Sequence, residues 1–198
     1  MLGNHGNAHE DPSSWLRSRW LMPYRRIRKP APARYAGHSA GYVLVVATVQ
    51  RTVQAPPDSV FAVLSDGWTY SDWVVGTVHI RNVDANWPQV GSELHHKAGP
   101  WPFSLHDSST VLLMEPGRRL RLRAGLWPLG EAVVDIQLEP FGVDATRVTI
   151  HEQFEHGPLL AARNKINDLL LHQRNVEALR RLADIAENSD RYYAERAR

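Results

Sequence analysis

Residues 43 to 64 read VLVVATVQRTVQAPPDSVFAVL, and they contain a strand, a break and a helix. The part from Val43 to Val53 is rich in β-branched residues, which favour strands. Pro56-Pro57 ends that strand because proline cannot donate to a sheet ladder, and Pro57 suits the first turn of a helix. The helix has an apolar face made of Val60, Phe61, Val63 and Leu64. The stretch therefore predicts a strand followed at once by an amphipathic helix.

The composition fits one domain with extensions. The chain has 198 residues, of which 43% are hydrophobic, enough to bury one sizeable core. It carries 23 basic and 21 acidic side chains, and this small excess does not indicate a nucleic-acid partner. The absence of cysteine excludes disulfides and thiolate chemistry, and it fits a cytoplasmic protein. No cofactor is implied.

Both ends of the chain differ from the middle. Residues 1–41 are rich in Gly, Asn, Pro and Ala and predict a disordered basic extension. Within it, residues 14–29 have apolar side chains at roughly helical spacing among arginines, which allows weak contact with an anionic membrane surface. A floppy extension, or a start codon assigned upstream of Met22, remains the alternative. Residues 188–198 are predicted to be a polar tail.

Between these ends, residues 42–187 predict an α+β domain. A second short helix is expected near 68–75 and a long one from 158 to 186. Strands are expected near 77–83, 91–98, 104–114, 119–126, 131–139 and 145–155, separated by Gly and Pro breakers at hairpin spacing.

Alternation along the strands predicts which face is buried. On the last strand, Val148, Ile150 and Phe154 share the inward phase, and Glu152 falls in the same phase. A carboxylate there is out of place. In the long helix, Leu169 and Val176 belong to an apolar stripe that Gln173 interrupts, which predicts that part of this helix lines a cavity.

The order of elements resembles the START/Bet v 1-like superfamily, and within it the polyketide cyclase/dehydrase-like group. The resemblance covers residues 42–187. It is carried by Ala55-Pro56-Pro57, the helix from Val60 to Asp66, Trp73, the hairpin from Glu115 to Leu120, and the final helix. It implies a helix-grip fold, in which a seven-stranded antiparallel sheet curls around a long C-terminal helix, two short helices follow the first strand, and an apolar cavity lies inside.

If that topology holds, the first and last strands are neighbours, and Arg51 is placed to meet Glu152 inside the grip. A guanidinium partner would keep a buried carboxylate ionised and would orient a ligand's carbonyl or hydroxyl group. The alternatives are a purely structural ion pair, or an Arg51 side chain that reaches solvent.

Aromatic residues near the expected strand ends are candidates for a cavity rim. They include Trp73, Trp101, Phe103 and Trp127. Core packing is the alternative for each of them. The histidines do not predict a metal site, because adjacent strand positions such as His95 and His96 point to opposite faces.

These observations predict a protein that binds or carries a hydrophobic small molecule, such as a lipid, a quinone or a polyketide-like compound. One alternative is a polyketide cyclase/dehydratase-like enzyme, in which Glu152 acts as acid or base and Arg51 polarises a carbonyl. Another is a protein-interaction module that docks a partner on the exposed sheet face with Arg119, Arg121 and Arg123, or on the basic tail.

Overall fold

The structure is a computed structural model that describes residues 45–98, 105–125, 130–156 and 165–197. The expectations for residues 1–41, including membrane contact through residues 14–29, lie outside this part of the chain. No helix in the described ranges is long and apolar enough to cross a membrane.

The described chain contains one sheet and a small set of helices. The strands are β1 (Val45–Val53), β2 (Thr77–Val83), β3 (Glu93–Ala98), β4 (Leu105–Glu115), β5 (Arg119–Gly125), β6 (Glu131–Pro140) and β7 (Thr146–His156). The helices are α1 (Pro57–Ser65), α2 (Tyr70–Trp73), α3 (Lys165–Glu187) and α4 (Ser189–Arg196), and a 3₁₀ turn (Gly67–Thr69) precedes α2.

The seven strands form one antiparallel sheet in the order β1-β7-β6-β5-β4-β3-β2. Strands β2 to β7 are a meander, as their short breakers predict, and β1 adds to the sheet beside β7. The sheet curls around α3, with the short helices after β1. The helix-grip fold expected from the sequence is confirmed.

The two faces of the sheet have different chemistry because side chains alternate along each strand. On the concave face, residues such as Leu122, Ile136 and Ile150 are buried in a core shared with α1 and α3. On the opposite face, Arg119 and Arg121 donate hydrogen bonds to the carboxylate of Asp135. Arg119 and Arg121 therefore lie on the face opposite the core, as the sequence predicts for them.

The connection from α1 to α2 is fixed by side-chain hydrogen bonds. Asp66 accepts a hydrogen bond from the backbone N–H of Trp68, and the Thr69 hydroxyl donates to the Val63 carbonyl. At Gly67 an added Cβ would lie 2.7 Å from Val83 Cγ1 and 3.0 Å from Leu94 Cδ1. The turn therefore packs directly on strands β2 and β3.

The second half of α3 supplies the helical part of the core. Its buried stripe consists of Asn175, Ala178, Leu179, Leu182, Ala183, Ile185 and Ala186. After α3 the chain forms α4, where the sequence suggested only a polar tail. The Tyr192 hydroxyl and the Arg196 guanidinium both donate to the Asp72 carboxylate, which ties α4 to α2.

Candidate functional site

Glu152 is the buried carboxylate that the alternation of side chains along the last strand predicted. It lies on β7, between Ala47 of β1 and Val134 of β6, on the concave face of the sheet. Its neighbours on the same face of β7 are Ile150 and Phe154, both buried. Only 2% of the Glu152 side chain is exposed. A carboxylate here is costly unless it is paired and hydrogen-bonded.

Two consecutive residues of α3 supply those partners. Nη2 of Arg174 lies 2.5 Å from both carboxylate oxygens of Glu152. Nδ2 of Asn175 donates to Oε2 of Glu152 at 2.7 Å, while Oδ1 of Asn175 accepts from Nε and Nη2 of Arg174. We call these three residues the polar centre. They link the last strand to the long helix through a closed set of hydrogen bonds.

Arg174 has N–H groups that the polar centre does not use. A guanidinium carries five N–H groups, and Nε and Nη2 account for three of them. Nη1 has no acceptor among the described residues, and 29% of the Arg174 side chain is exposed, against 2% for Glu152. Arg174 can therefore hold Glu152 and still present N–H groups to a bound molecule.

Arg51 does not take the place expected for it. In the β1–β7 register it opposes Val148, four residues from Glu152, and its side chain is exposed. It shares its phase with the buried Val49 and Val53, but β1 is an edge strand, where a long cationic side chain reaches water. The cation paired with Glu152 is Arg174, from a helix rather than from the neighbouring strand.

The candidates on α3 lie beside its packed stripe. Leu169, Gln173 and Val176 are all exposed. At 100° per residue, Leu169 and Val176 lie about 100–120° around the helix from the centre of the stripe, and Gln173 lies on the opposite side. The apolar stripe predicted from Leu169 and Val176, which are seven residues apart, therefore lies on a flank of α3 and not on its packed face. A role for these three residues in ligand binding stays a prediction.

Of the aromatic candidates, Trp73 is described, whereas Trp101, Phe103 and Trp127 lie outside the described residues. Trp73 is buried in the core. Its ring lies 4.8 Å from that of Tyr70, which lies 5.5 Å from the ring of Trp87, centroid to centroid. Trp73 thus belongs to an aromatic cluster between α2 and the β2–β3 connection.

His96 is a buried polar side chain on the concave face that the sequence did not single out. It lies on β3 opposite Ile80 of β2, in the same phase as Leu94. Burial lowers the pKa of its imidazole, and the negative charge of Asp107, its partner in the β4 register, offsets part of that effect. The signal that could have found it is its inward phase.

The remaining charged side chains of the described residues bear on two other kinds of site, a metal centre and a docking surface. Among the described residues no group of three or more His, Asp and Glu side chains is placed to hold a metal ion. On the outer face, burial of Asp135 opposes its ionisation, but the guanidinium groups of Arg119 and Arg121 outweigh burial and hold the pKa of that carboxyl below its ordinary value. Much of the positive charge proposed for docking is therefore neutralised within the sheet.

Comparison with solved structures supports the fold. An aromatase/cyclase from Streptomyces sp. R1128 matches with a TM-score of 0.55 at 18% identity, covering 72% of this chain and 93% of its own. A protein from Nitrosomonas europaea matches with a TM-score of 0.56 at 19% identity, covering 74% and 96%. Ara h 8.0201 matches with a TM-score of 0.57 at 13% identity, covering 71% and 95%. At such identities the likeness shows the fold alone.

Sequence comparison gives the family. No curated protein matches the chain. A family model described as polyketide cyclase/dehydrase and lipid transport matches residues 45–187, from the first strand to the end of α3. This range contains the polar centre, His96 and the aromatic cluster. The chain therefore belongs to the polyketide cyclase/dehydrase and lipid transport family.

Proposed function

We propose that this protein binds a largely apolar small molecule, such as a lipid, a quinone or a polyketide-like ring compound, between the concave face of its sheet and helix α3. The observation that carries the proposal is a buried carboxylate, Glu152, among apolar neighbours on three strands, paired with an arginine that is only partly buried. Mostly apolar surfaces with a few placed polar groups are typical of ligand sites.

The polar centre suits the task of orienting a ligand. Glu152 and Asn175 fix the guanidinium plane of Arg174 through hydrogen bonds on Nε and Nη2. The Nη1 edge then has a defined direction before any ligand arrives, which lowers the entropic cost of binding. A carbonyl or hydroxyl oxygen at one end of an apolar ligand is the natural acceptor for these N–H groups.

The polar centre could instead be only a structural link between β7 and α3. In a structural link the N–H groups of Arg174 that Glu152 and Asn175 do not use would bond only to water. The two roles differ in one measurable respect. A ligand role makes affinity depend on Arg174 even when the fold is intact.

The experiment has two stages. Native mass spectrometry of gently purified protein, followed by extraction and identification of released small molecules, is expected to reveal an apolar species in a fixed ratio to the chain. The affinity of menadione, an apolar quinone, is then measured by equilibrium dialysis. Arg174→Gln is expected to weaken binding by about tenfold, the value of one hydrogen bond to a charged group.

The matched control is Arg180→Gln, because Arg180 lies on the same helix but pairs with exposed Glu177 and Asp184. Circular dichroism must show that both variants are folded. Equal menadione affinity in folded Arg174→Gln and in the control contradicts the role given to Arg174. Failure of the unmodified protein to bind apolar compounds contradicts the proposed function itself.

A cyclase- or dehydratase-like enzyme is the second candidate, and the family match favours it. In this version Arg174, rather than Arg51, would polarise a substrate carbonyl. Both oxygens of Glu152 already accept hydrogen bonds, so the carboxylate is poorly placed to move a proton. Glu152→Gln is expected to abolish turnover of a polyketide-like substrate if Glu152 is the acid or base, and retained turnover excludes that role.

A further inference from the structure

Four polar atoms near the aromatic cluster are buried without a hydrogen-bond partner among the described residues. They are the Tyr70 hydroxyl, Nε1 of Trp73, Nε1 of Trp87 and Nδ1 of His96. The side chains of Tyr70, Trp73 and His96 are each more than nine-tenths buried. Buried polar groups in folded proteins are nearly always paired, so these four unpaired groups need an explanation.

These side chains lie around one part of the sheet. Tyr70 and Trp73 belong to α2, which contacts β2, and Trp87 belongs to the β2–β3 connection. His96 faces Ile80 across the β2–β3 pair, and Ile80 shares the core cluster with Tyr70 and Trp73. The unpaired atoms therefore belong to elements packed against strands β2 and β3, at the far side of the sheet from Glu152.

We propose that these four side chains form a second subsite, which takes the carbonyl oxygens of a neutral ring compound such as a quinone. The proposal rests on the proposed function and specifies its ligand. We call the four residues the donor cluster.

The chemistry of the donor cluster selects an acceptor. An indole N–H only donates, so Trp73 and Trp87 require an oxygen or another acceptor opposite them. Tyr70 can also donate, since burial raises the pKa of its hydroxyl and keeps it protonated. Flat aromatic side chains favour an aromatic ring beside them by stacking or edge contacts.

The charge around the donor cluster selects a neutral ligand. The segment that carries Tyr70 and Trp73 also carries Asp66 and Asp72. Arg196 balances Asp72 by a contact at 2.6 Å on the exposed side of α2. A fatty acid or phosphate would bring a further negative charge towards Asp66, whereas the carbonyl of a quinone would not.

Ligand entry requires the segment Gly67–Trp73 to move, because neighbouring atoms cover the four unpaired atoms. Leaving them unpaired disfavours the covered arrangement. A ligand oxygen that accepts hydrogen bonds from them removes that penalty. The ligand therefore binds the open arrangement more tightly than the covered one, which is what a ligand needs in order to drive the opening.

The test compares menadione with 2-methylnaphthalene, which has the same carbon skeleton without the two carbonyl oxygens. The chain has no cysteine, so menadione has no thiol to react with. Affinities are measured by equilibrium dialysis for the unmodified protein, Tyr70→Phe and Trp73→Phe. Tyr193→Phe and Trp68→Phe are the controls, because they make the same chemical changes outside the donor cluster.

Tyr70→Phe and Trp73→Phe are each expected to weaken menadione binding by about fivefold to tenfold and to change 2-methylnaphthalene binding by less than about twofold. Tyr70→Phe is also expected to raise the melting temperature of the ligand-free protein, because it removes an unpaired buried hydroxyl. The controls are expected to leave the affinity ratio of the two probes unchanged.

An unchanged ratio in both Tyr70→Phe and Trp73→Phe overturns the donor cluster as a subsite while the proposed function stands. A fall in melting temperature for Tyr70→Phe, with that ratio unchanged, assigns the hydroxyl a structural partner and overturns the proposal too. If neither probe binds the unmodified protein, the proposed function fails and the subsite fails with it.

Discussion

The polar centre and the donor cluster are both buried polar groups on the inner side of the same sheet, yet they differ in how their hydrogen bonds are used. In the polar centre, Glu152 and Asn175 are fully engaged with each other and with Arg174. In the donor cluster, four polar atoms have no partner in the described part of the chain. The first region is organised before a ligand binds, and the second is completed by the ligand.

This difference separates two ways of holding a molecule. A completed network stabilises the fold and presents a rigid edge, so its loss should appear mainly as a loss of stability. An incomplete set of donors weakens the fold locally, so its loss should appear mainly in binding. The four predictions below test the contrast, beginning with the largest expected effect.

The largest effect is expected when Arg174 is replaced by methionine, because Glu152 is then left buried without its cation. Arg174→Met is expected to lower the free energy of unfolding by about 3 kcal/mol. Urea unfolding at neutral pH measures it. Arg180→Met, which removes a cation whose ion pairs with Glu177 and Asp184 are exposed, is the control with a much smaller expected effect.

The double variant Glu152→Leu/Arg174→Met sharpens this prediction. Removing both charges together is expected to recover most of the loss, since the penalty comes from the unpaired carboxylate rather than from the missing contact. A double variant as unstable as the single one would mean that Arg174 acts through packing.

The next effect concerns the turn that carries the donor cluster. Gly67→Ala would place a Cβ 2.7 Å from Val83 Cγ1, so the turn or the valine must shift. The expected cost is about 1–2 kcal/mol in unfolding free energy, and menadione should associate faster because the segment that carries Tyr70 and Trp73 is loosened. Adding Val83→Ala is expected to reverse both changes, and a double variant that keeps them contradicts the steric cause.

A smaller effect is expected from the protonation of His96. Burial holds the pKa of the folded imidazole below the ordinary value of 6.5, with Asp107 acting against burial and His95 adding to it. Below pH 6.5 the unfolded chain therefore binds more protons than the folded one. The free energy of unfolding must fall as the pH falls below 6.5, by at most about 1.4 kcal/mol per pH unit.

Urea unfolding between about pH 7.5 and 5.5 measures this fall. In His96→Gln the decrease in unfolding free energy is expected to be smaller by the contribution of one histidine. Above pH 6.5 the unfolding free energies of the two proteins should follow parallel curves against pH. Identical slopes below pH 6.5 would show that His96 is not kept neutral by its surroundings.

The smallest effect is expected at the contact between α2 and α4. Asp72 accepts from Tyr192 and Arg196 at exposed positions, where ion pairs contribute about 1 kcal/mol or less. Asp72→Asn should therefore change the unfolding free energy little, yet raise the association rate of menadione about twofold to fivefold by freeing α2. Stopped-flow fluorescence measures the rate, and Arg191→Gln on α4, which removes an ion pair with Glu195 that does not involve α2, is the control. A rate equal to that of the control would show that α4 does not restrain entry.

The fold could be predicted because its signals are local. The Pro56-Pro57 break, the hairpin breakers and the alternation on β5 to β7 each depend on a few neighbouring residues, and they agree with one another. Alternation also found Glu152, since a residue's phase on a strand decides its face.

The partners of Glu152 could not be predicted in this way. Arg174 and Asn175 reach Glu152 because of how α3 is rotated against the sheet. Strand alternation does not apply to a helix, and two adjacent polar residues do not show which of its faces is buried. The apolar stripe predicted through Leu169 and Val176 lies on a flank of α3 instead of on its packed face. The available signal was helical spacing, because Asn175 lies three and four residues before Ala178 and Leu179 and therefore on the same face as the buried stripe.

The most direct test of the account is nitrogen–proton NMR of the ¹⁵N-labelled protein during titration with menadione. The Nε–H resonance of Arg174 and the indole resonances of Trp73 and Trp87, assigned from single substitutions, are each expected to shift and to saturate. With 2-methylnaphthalene the indole shifts should be much smaller. Saturable binding that leaves Arg174, Trp73 and Trp87 unshifted would place the ligand elsewhere and contradict the account.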